Sequence, residues 1–322
     1  MAVVLAAVVG GFVLLAFAPD RFVAGSAGLA ERWGVSRVVV GAVIVGFGTS
    51  TPEMLVSGLA AADGEPEVGV GNVIGSNMAN LGLVLGVAAL IGRIGVSSGI
   101  LRCELPLAVA ATVLFAVLVQ GGLSRADAVL LLLSLVAALT ILLRQAGIAP
   151  SGPGAGDDEL AEEVGEFLDV KEHRSPWQMA ASTGLGLVGT LIGAQLLVWG
   201  AVDIAERVEL SGGFIGLTIV AIGTSLPELV TAAAAARVGE DQLIVGNVVG
   251  SNLFNCLAVG GVIGLVGPAD LDDAALTLGA VGLMLLVTGL GAGALVRRRH
   301  VTRGEAVALL VTYAGCLPLL AL

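Results

Sequence analysis

One six-residue motif occurs twice in this chain, and it constrains the fold more than any other feature. The first copy, Gly-Thr-Ser-Thr-Pro-Glu, covers residues 48–53, and the second, Gly-Thr-Ser-Leu-Pro-Glu, covers residues 223–228. A second motif, Gly-Asn-x-x-Gly-Ser-Asn, follows each copy, at 71–77 and at 246–252. Glu53 and Glu228 are separated by a fixed number of positions, and the same number separates all the other equivalent residues of the two copies. No residue is inserted between the two motifs in either copy. A register kept this strictly indicates an internal repeat.

Both copies of the first motif lie inside long apolar segments. The chain is 57% hydrophobic and only 13% charged, whereas soluble domains contain about 25% charged residues. We therefore expect an all-α integral membrane protein. Each motif then places a glutamate, Glu53 or Glu228, within a membrane segment. An ionisable residue there is costly to bury, and it marks a candidate functional site.

Ten segments are apolar enough to approach the roughly 20 residues that a helical span requires. They cover residues 2–18, 38–62, 68–91, 105–119, 126–143, 177–205, 212–236, 243–266, 274–296 and 306–322. The connections between them are short except for residues 144–176. That stretch combines Gly and Pro with an acidic run, which is typical of a flexible, solvated linker.

The linker divides the chain into three predicted parts. Residues 1–143 form a first five-helix half, residues 144–176 an acidic linker, and residues 177–322 a second five-helix half. Each half carries both motifs, in the ranges 46–53 and 71–80 of the first half and 221–228 and 246–255 of the second. Because five spans is an odd number, the second half enters the membrane from the opposite side. The predicted fold is therefore ten transmembrane helices as two inverted repeats, with a site near the midplane where the repeats meet.

The basic residues indicate the orientation of these spans. With ten spans, 13 of the 15 Lys and Arg residues fall on one side, and only Arg125 and Arg207 fall on the other. Because positive residues stay on the cytoplasmic side, we predict a multi-pass inner-membrane protein with both termini extracytoplasmic and the 144–176 loop cytoplasmic. The N-terminus lacks the positive region of a signal peptide, so we expect the first span to be retained.

The spacing within the first motif places several oxygen atoms at one depth. Thr49 and Glu53 are four residues apart and Ser50 and Glu53 are three apart, so all three share a helix face. Pro52 removes a backbone hydrogen bond, and a carbonyl freed inside a membrane must be satisfied by protein, water or an ion. The second copy repeats the arrangement with Thr224, Ser225 and Glu228.

The second motif brings further oxygens to the same depth. Ser76 and Asn80 repeat the four-residue spacing on the following span, and the predicted turn lies midway between Glu53 and Asn80. In an antiparallel hairpin these two residues then stand equally far from the turn, at most about 20 Å at 1.5 Å per residue. Ser251 and Asn255 are the equivalent residues of the second copy.

All of these groups are oxygen ligands, which favours a hard cation. Ca²⁺ takes six to eight oxygens from carboxylates, carbonyls, amides and water. Glu53 and Glu228 supply a charge that one Ca²⁺ neutralises and a single Na⁺ or proton does not. No histidine or cysteine lies among the groups just described, which disfavours a transition metal. The three cysteines have no metal-type spacing, and we expect no cofactor.

The other motif residues leave structural alternatives open. Small residues within spans often serve close helix packing, which is an equal alternative for Gly71, Gly75, Gly246 and Gly250. Asparagines can join helices by hydrogen bonds, and this role is favoured for Asn72, Asn77, Asn247 and Asn252. A purely structural role is disfavoured for the two glutamates, because no predicted span contains a basic residue to pair with them.

The paired motifs on inverted five-span repeats resemble the cation/calcium antiporter superfamily, in its prokaryotic sodium/calcium exchanger branch. The resemblance covers nearly the whole chain. It implies that Ca²⁺ and Na⁺ are the transported ions and that they bind between the two motif hairpins. It also implies that the first and sixth spans slide as a unit against the rest. Beyond the ions and membrane lipid we expect no partner and no nucleic acid, with a monomer as the working assembly.

The resemblance also implies a ligand set, position by position. Glu53 and Glu228 are then shared ligands of Ca²⁺ and Na⁺, and Thr49 and Thr224 help to hold Ca²⁺. The Na⁺ sites are completed by Ser50, Ser76, Ser225 and Ser251 with the carbonyls of Gly46 and Ala221, and Asn80 and Asn255 line the middle site. Some relatives carry Asp at the position of Asn255, and the amide found here weakens the case for potassium co-transport.

Three other functions compete with Na⁺/Ca²⁺ exchange. A Ca²⁺/H⁺ antiporter would use the same glutamates as proton carriers, since burial favours the protonated carboxyl group. The many hydroxyls favour Na⁺, because a proton needs no extra ligands. A cation channel is disfavoured by inverted, Pro-interrupted repeats. An intramembrane hydrolase is disfavoured because no nucleophile with a base or metal centre is evident.

Overall fold

The structure is a computed structural model that describes residues 2–32, 50–145, 175–208, 211–239, 241–271, 273 and 275–319. Gly46, Thr49 and most of the predicted 144–176 linker lie outside these ranges. Within them the chain is almost entirely helical.

The α-helices differ widely in length, from a single turn to the two long helices α1 and α7. They are α1 (Ala2–Arg32), α2 (Thr51–Ala62), α3 (Pro66–Ala79), α4 (Leu85–Ile91), α5 (Leu105–Leu118), α6 (Arg125–Gln145), α7 (Pro176–Val208), α8 (Gly212–Ile215), α9 (Ala221–Thr224), α10 (Leu226–Val238), α11 (Asp241–Phe254), α12 (Gly260–Val266), α13 (Val281–Arg298) and α14 (Arg303–Leu319). Wider π-helical turns join or precede several of them, at Asn80–Val84, Ile100–Glu104, Gly216–Val220, Asn255–Val259 and Ala275–Ala280. Two short strands, β1 (Ile94–Gly95) and β2 (His300–Val301), pair antiparallel.

Six helices of the described chain are long and apolar enough to cross a membrane. A seventh candidate is the pair Gly212–Thr224 and Leu226–Arg237, which meet at a bend of 44°. Each of these segments coincides with a predicted span, although the predicted 105–119 span begins earlier, at Ile100. The membrane character is therefore clear, while ten spans in two inverted repeats stay a prediction that these helices do not confirm.

The long helices α1 and α7 form an antiparallel pair in which the backbones touch. A Cβ atom added to Gly11 would lie 2.9 Å from the Gly193 carbonyl oxygen. One added to Gly25 would meet Thr183, and one added to Gly200 would meet Val8. Later positions on α1 contact earlier positions on α7, so the two helices run antiparallel. Small residues permit this approach, which is how helices associate within a membrane.

The buried side chains form two clusters. The larger surrounds α3 and α11 and includes α5, α13 and α14. The smaller joins the α1–α7 pair to α2 and to the 212–224 segment, through residues such as Leu15, Leu197, Val56 and Ile215. The α1–α7 pair is thus attached to the rest of the molecule through its own apolar cluster.

Two helical hairpins carry the duplicated motifs. Helices α2 and α3 meet at Gly64, which has a φ angle of +90°, and α10 and α11 meet at Gly239, which has a φ angle of +86°. A side chain would be strained at such angles, and glycine adopts them freely. Gly64 and Gly239 are related by the same offset as Glu53 and Glu228, so the repeat extends to the turns.

Candidate functional site

In both copies of the first motif a helix begins directly after a serine, and in the second copy that serine separates α9 from α10. Ser50 has φ −91° and ψ 7°, and Ser225 has φ −87° and ψ 3°. These angles lie in the sparsely populated bridge region, where many active-site residues are found. A new helix begins at the next residue, and its second position is proline in both copies. Proline suits the first turn of a helix because it has no N–H to leave unsatisfied.

The two motif glutamates are buried in the first turns of α2 and α10. Glu53 is 1% exposed and Glu228 is 2% exposed, and the two carboxyl groups repel each other. The N-terminus of a helix carries a partial positive charge that favours an anion. Two neighbouring buried carboxylates nevertheless need further compensation, which a bound cation can supply.

Thr224 of the second copy contacts the first hairpin directly. Its hydroxyl oxygen lies 3.1 Å from Asn72 Oδ1 and 3.4 Å from Ser76 Oγ. The same hydroxyl lies 3.3 Å from the Ala221 carbonyl oxygen. The structure therefore brings together three predicted site residues, Ser76, Ala221 and Thr224, from the two halves of the chain.

Asn72 is the centre of this contact. Its amide nitrogen donates to Ser57 Oγ at 3.0 Å and to the Glu53 carbonyl oxygen at 3.5 Å. Its amide oxygen accepts from Ser76 at 3.3 Å as well as from Thr224. The predicted helix-joining role of Asn72 thus brings it to the edge of the candidate site. Sequence reasoning missed Ser57, although its position four residues after Glu53 could have indicated it.

A second group of asparagines joins α3 to α11. Asn80 Nδ2 donates to Asn252 Oδ1 at 2.9 Å, and Asn252 Nδ2 donates to the Asn77 carbonyl oxygen at 3.2 Å. Asn77 Nδ2 lies 2.8 Å from the Cys256 sulfur atom. The helix-joining role predicted for Asn77 and Asn252 accounts for these contacts. In addition, π-helical turns begin at both Asn80 and Asn255, and such turns are frequent at functional sites.

Several buried polar atoms of the predicted site residues have no hydrogen-bond partner within the described part of the chain. They are Ser50 Oγ, both Glu53 carboxylate oxygens, Asn80 Oδ1, Ser225 Oγ, Ser251 Oγ and both amide atoms of Asn255. An unsatisfied buried polar group costs about 1–3 kcal/mol, which a bound ligand would offset. Seven of the eight atoms are oxygens, which fits a hard cation.

The structure describes some of the remaining predicted site residues and glycines, and their surroundings differ. The Ala221 carbonyl accepts from Ser225 N at 3.1 Å in addition to its contact with Thr224, so it is already engaged in the helix. Gly46 and Thr49 are not among the described residues. Gly71 and Gly75 are packing positions, since an added Cβ would lie 2.9 Å from Leu217 N and 2.6 Å from Ala221 Cβ, respectively. Around Gly246 and Gly250 the described chain shows no such contact.

Comparison with known proteins relates the chain to membrane exchangers. A family described as "Sodium/calcium exchanger protein" matches residues 3–144 and 179–321. The putative antiporter CaxA of Alkalimonas amylolytica is 39% identical over 311 residues, which cover 95% of this chain and 94% of the relative. The inner membrane protein YrbG of Escherichia coli (strain K12) is 34% identical, with coverage of 94% and 91%.

A solved structure agrees with these sequence matches. The sodium-calcium exchanger NCX_Mj, soaked with 100 mM Na⁺ and 10 mM Sr²⁺, superposes with a TM-score of 0.65. Its sequence is 28% identical, and the match covers 98% of each chain. The likeness therefore extends over both halves and includes the duplicated motifs.

Proposed function

The chain belongs to the sodium/calcium exchanger protein family, and on that premise we propose that it exchanges Ca²⁺ for Na⁺ across the cell membrane. The family and the fold are those of membrane exchangers, which supports transport as the function. The observation that carries the proposal is the contact between the two motif copies, in which Thr224 of one copy meets Asn72 and Ser76 of the other.

The chemistry around that contact supports a divalent cation as one substrate. Glu53 and Glu228 are buried close enough to repel each other, and one Ca²⁺ between them would cancel their charge. The serine hydroxyls and asparagine amides supply the neutral oxygens that a hard cation requires in addition. We therefore retain the proposed ligand set of Glu53, Glu228, Thr49, Thr224, Ser50, Ser225, Ser76, Ser251, Asn80, Asn255, Gly46 and Ala221.

Sodium is the proposed exchange partner because the site is rich in hydroxyl groups. Ser50, Ser225 and Ser251 each present a buried hydroxyl that meets no described hydrogen-bond partner. A proton carried on a glutamate would need none of them, whereas Na⁺ needs several oxygens. Replacement of Ca²⁺ by Na⁺ then keeps the negative charge of the buried carboxylates balanced by a cation throughout the transport cycle.

The α1–α7 pair supports a mechanism of alternating access. The two helices contact each other along their length and join the rest through a separate apolar cluster. The Phe12 ring of α1 rests against Gly223, the first residue of the second copy of the first motif. We propose that this pair moves as a unit and opens the site to one side of the membrane at a time.

The proposed function also includes a membrane topology. Residues 1–143 and 177–322 would form the two inverted halves, with residues 144–176 as the cytoplasmic linker and both termini outside. An inner-membrane location is supported by the relative YrbG, an inner membrane protein. Ca²⁺ would then leave the cell as Na⁺ enters.

The deciding experiment is ⁴⁵Ca²⁺ uptake into proteoliposomes that contain the purified protein. One set of vesicles is loaded with Na⁺, and a matched set carries only a pH gradient. Na⁺/Ca²⁺ exchange requires uptake that depends on internal Na⁺. Uptake driven by the pH gradient alone would assign the chain to Ca²⁺/H⁺ exchange instead. Uptake under neither condition would refute both forms of antiport.

A further inference from the structure

A groove runs along the surface between helices α13 and α14, away from the candidate ion site. Gly289, Gly293, Leu290, Ala308 and Leu309 line it, and it encloses about 320 Å³. The groove exists because Gly289 and Gly293 have no side chains. A Cβ added to either glycine would meet no described atom within 4 Å.

The groove ends at a basic residue. Gly289, Gly293 and Arg297 follow one another at four-residue intervals, so they occupy one face of α13. Arg297 also lines the groove and is exposed. The groove thus has an apolar length and a cationic end, which is the shape of a site for an amphipathic molecule.

Further arginines lie on the turn after α13 and on the strand pair beside it. Val96 N donates to the Arg299 carbonyl oxygen at 2.9 Å, and strands β1 and β2 pair Ile94 with Val301 and Gly95 with His300. These bonds hold the segment after α4 against the turn between α13 and α14. Arg93 contacts His300 across the strand pair. The basic cluster consists of Arg93, Arg297, Arg299 and Arg303, which lie within or next to the segments joined by the β1–β2 pair.

Two carboxylates lie in the same region and make defined contacts. Asp241 Oδ2 accepts from Gly95 N at 2.7 Å. Glu305, which also lines the groove, accepts from Thr302 N at 2.9 Å and from Thr302 Oγ1 at 2.8 Å, and so caps the start of α14. Among the described residues of this region, four arginines and these two acids leave an excess of positive charge beside the groove.

We propose that this groove binds an anionic phospholipid of the surrounding bilayer. Its acyl chain would lie along Gly289 and Gly293, and its phosphate headgroup would meet Arg297 and Arg299. Basic pockets between transmembrane helices are a recognised form of lipid site, and each basic residue near an anionic lipid surface contributes about a fivefold gain in affinity. A zwitterionic phospholipid would gain less from the arginines, because its choline group offsets the charge of its phosphate.

The test is lipid-dependent thermal unfolding of the full-length protein in detergent. Phosphatidylglycerol is added in one series and phosphatidylcholine in the other, with no ion gradient present. We expect phosphatidylglycerol to raise the melting temperature at lower concentration than phosphatidylcholine. The double variant Arg297→Gln/Arg299→Gln should need at least about tenfold more phosphatidylglycerol for the same rise. Arg125→Gln, at the start of α6 and outside the cluster, is its control.

A second variant fills the groove without touching its charges. Gly293→Leu should abolish the phosphatidylglycerol response, whereas Gly282→Leu, on the same helix but outside the groove, should leave it unchanged. This variant decides the question even when the arginine variant does not fold. The proposal is overturned when Gly293→Leu keeps the parental response to phosphatidylglycerol, or when both lipids stabilise the parent equally. Because no transport is measured, these outcomes are independent of the proposed exchange.

Discussion

The two motif hairpins, α2–α3 and α10–α11, have nearly the same backbone but different hydrogen-bond networks. In both, the first helix begins directly after a serine with φ near −90° and ψ near 5°. Both turn at a glycine with positive φ, and both end in a π-helical turn that begins at an asparagine. These shared features come from residues that are identical in the two copies.

The networks differ where the two copies differ in sequence. Ser57 in the first hairpin accepts a hydrogen bond from Asn72, but the equivalent residue of the second hairpin is Ala232. Cys256 in the second half lies beside Asn77 Nδ2, but its counterpart is Leu81, which has no polar side-chain atom. Asn77 therefore contacts a sulfur atom for which Asn252 has no equivalent.

This comparison shows which properties a repeat preserves. Backbone breaks depend on residues adjacent in sequence, so duplication copies them. Hydrogen bonds depend on residues that meet across helix interfaces, and a single substitution on either side removes them. The bond from Asn72 to Ser57 therefore has no side-chain equivalent at Ala232.

The strongest test of what the hairpins share is removal of each carboxylate charge in turn. We expect Glu53→Gln and Glu228→Gln each to lower Na⁺-dependent ⁴⁵Ca²⁺ uptake by at least about 100-fold, because ligand charge strongly tunes Ca²⁺ affinity. Asp270→Asn makes the same chemical change in an exposed loop and should leave uptake intact. Retained uptake in either glutamate variant would show that the two carboxylates do not form one site.

The next largest effect should come from crowding the first hairpin. Gly75→Ala places a Cβ atom 2.6 Å from Ala221 Cβ, and overpacking of this kind costs about 1–3 kcal/mol. Thermal unfolding in detergent should show a lower melting temperature for this variant. Gly282→Ala, where no described atom lies within 4 Å, should not lower it. Equal melting temperatures for both variants would contradict the close contact of α3 with the 212–224 segment.

A smaller effect should distinguish the two networks directly. Ser57→Ala removes an acceptor of Asn72 Nδ2, and an unsatisfied buried donor costs about 1–3 kcal/mol. We expect apparent Ca²⁺ affinity in the transport assay to fall by roughly threefold to tenfold. The reciprocal variant Ala232→Ser should change it less, because the second hairpin does not use a hydroxyl there. Equal and opposite effects would mean that the two hairpins are interchangeable.

The smallest effect concerns the sulfur contact of Asn77. Asn77 Nδ2 has a second, longer contact with Met284 Sδ at 3.8 Å. Cys256→Ala removes the shorter of the two acceptors and should destabilise the protein by about 1 kcal/mol, while Cys256→Ser keeps an acceptor and should lie closer to the parent. Thermal unfolding of the two variants side by side gives the comparison. A serine variant that is no more stable than the alanine variant would indicate that Cys256 acts through packing alone.

Much of the candidate site follows from the sequence. The constant offset between the two copies predicted that two polar motifs would be buried at equivalent places, and Glu53, Glu228, Ser76 and Thr224 are indeed buried. Pro227 predicted a disturbed turn in the second copy, and α9 and α10 are indeed separated there. Apolar composition predicted a membrane protein, and the family match confirms the resemblance. The number of spans and the sides on which the loops lie stay predictions.

Other parts of the site could not be read from spacing. Nothing in the sequence indicated that Thr224 would meet Asn72 instead of its nearer neighbours, or that Ser57 would support Asn72. The basic cluster beside the α13–α14 groove likewise depends on the β1–β2 pair, because these strands bring together segments from opposite halves of the chain.

The sequence by itself determined the local features of this protein: which segments are apolar, where helices break, and which oxygen-bearing residues each break carries. These follow from side-chain chemistry and from proline and glycine geometry, which act over a few residues. Only the tertiary structure decided which of those oxygens face one another and which are already hydrogen-bonded. Contacts across helix interfaces depend on how whole helices pack, and that is settled by the sum of many weak contacts along their length.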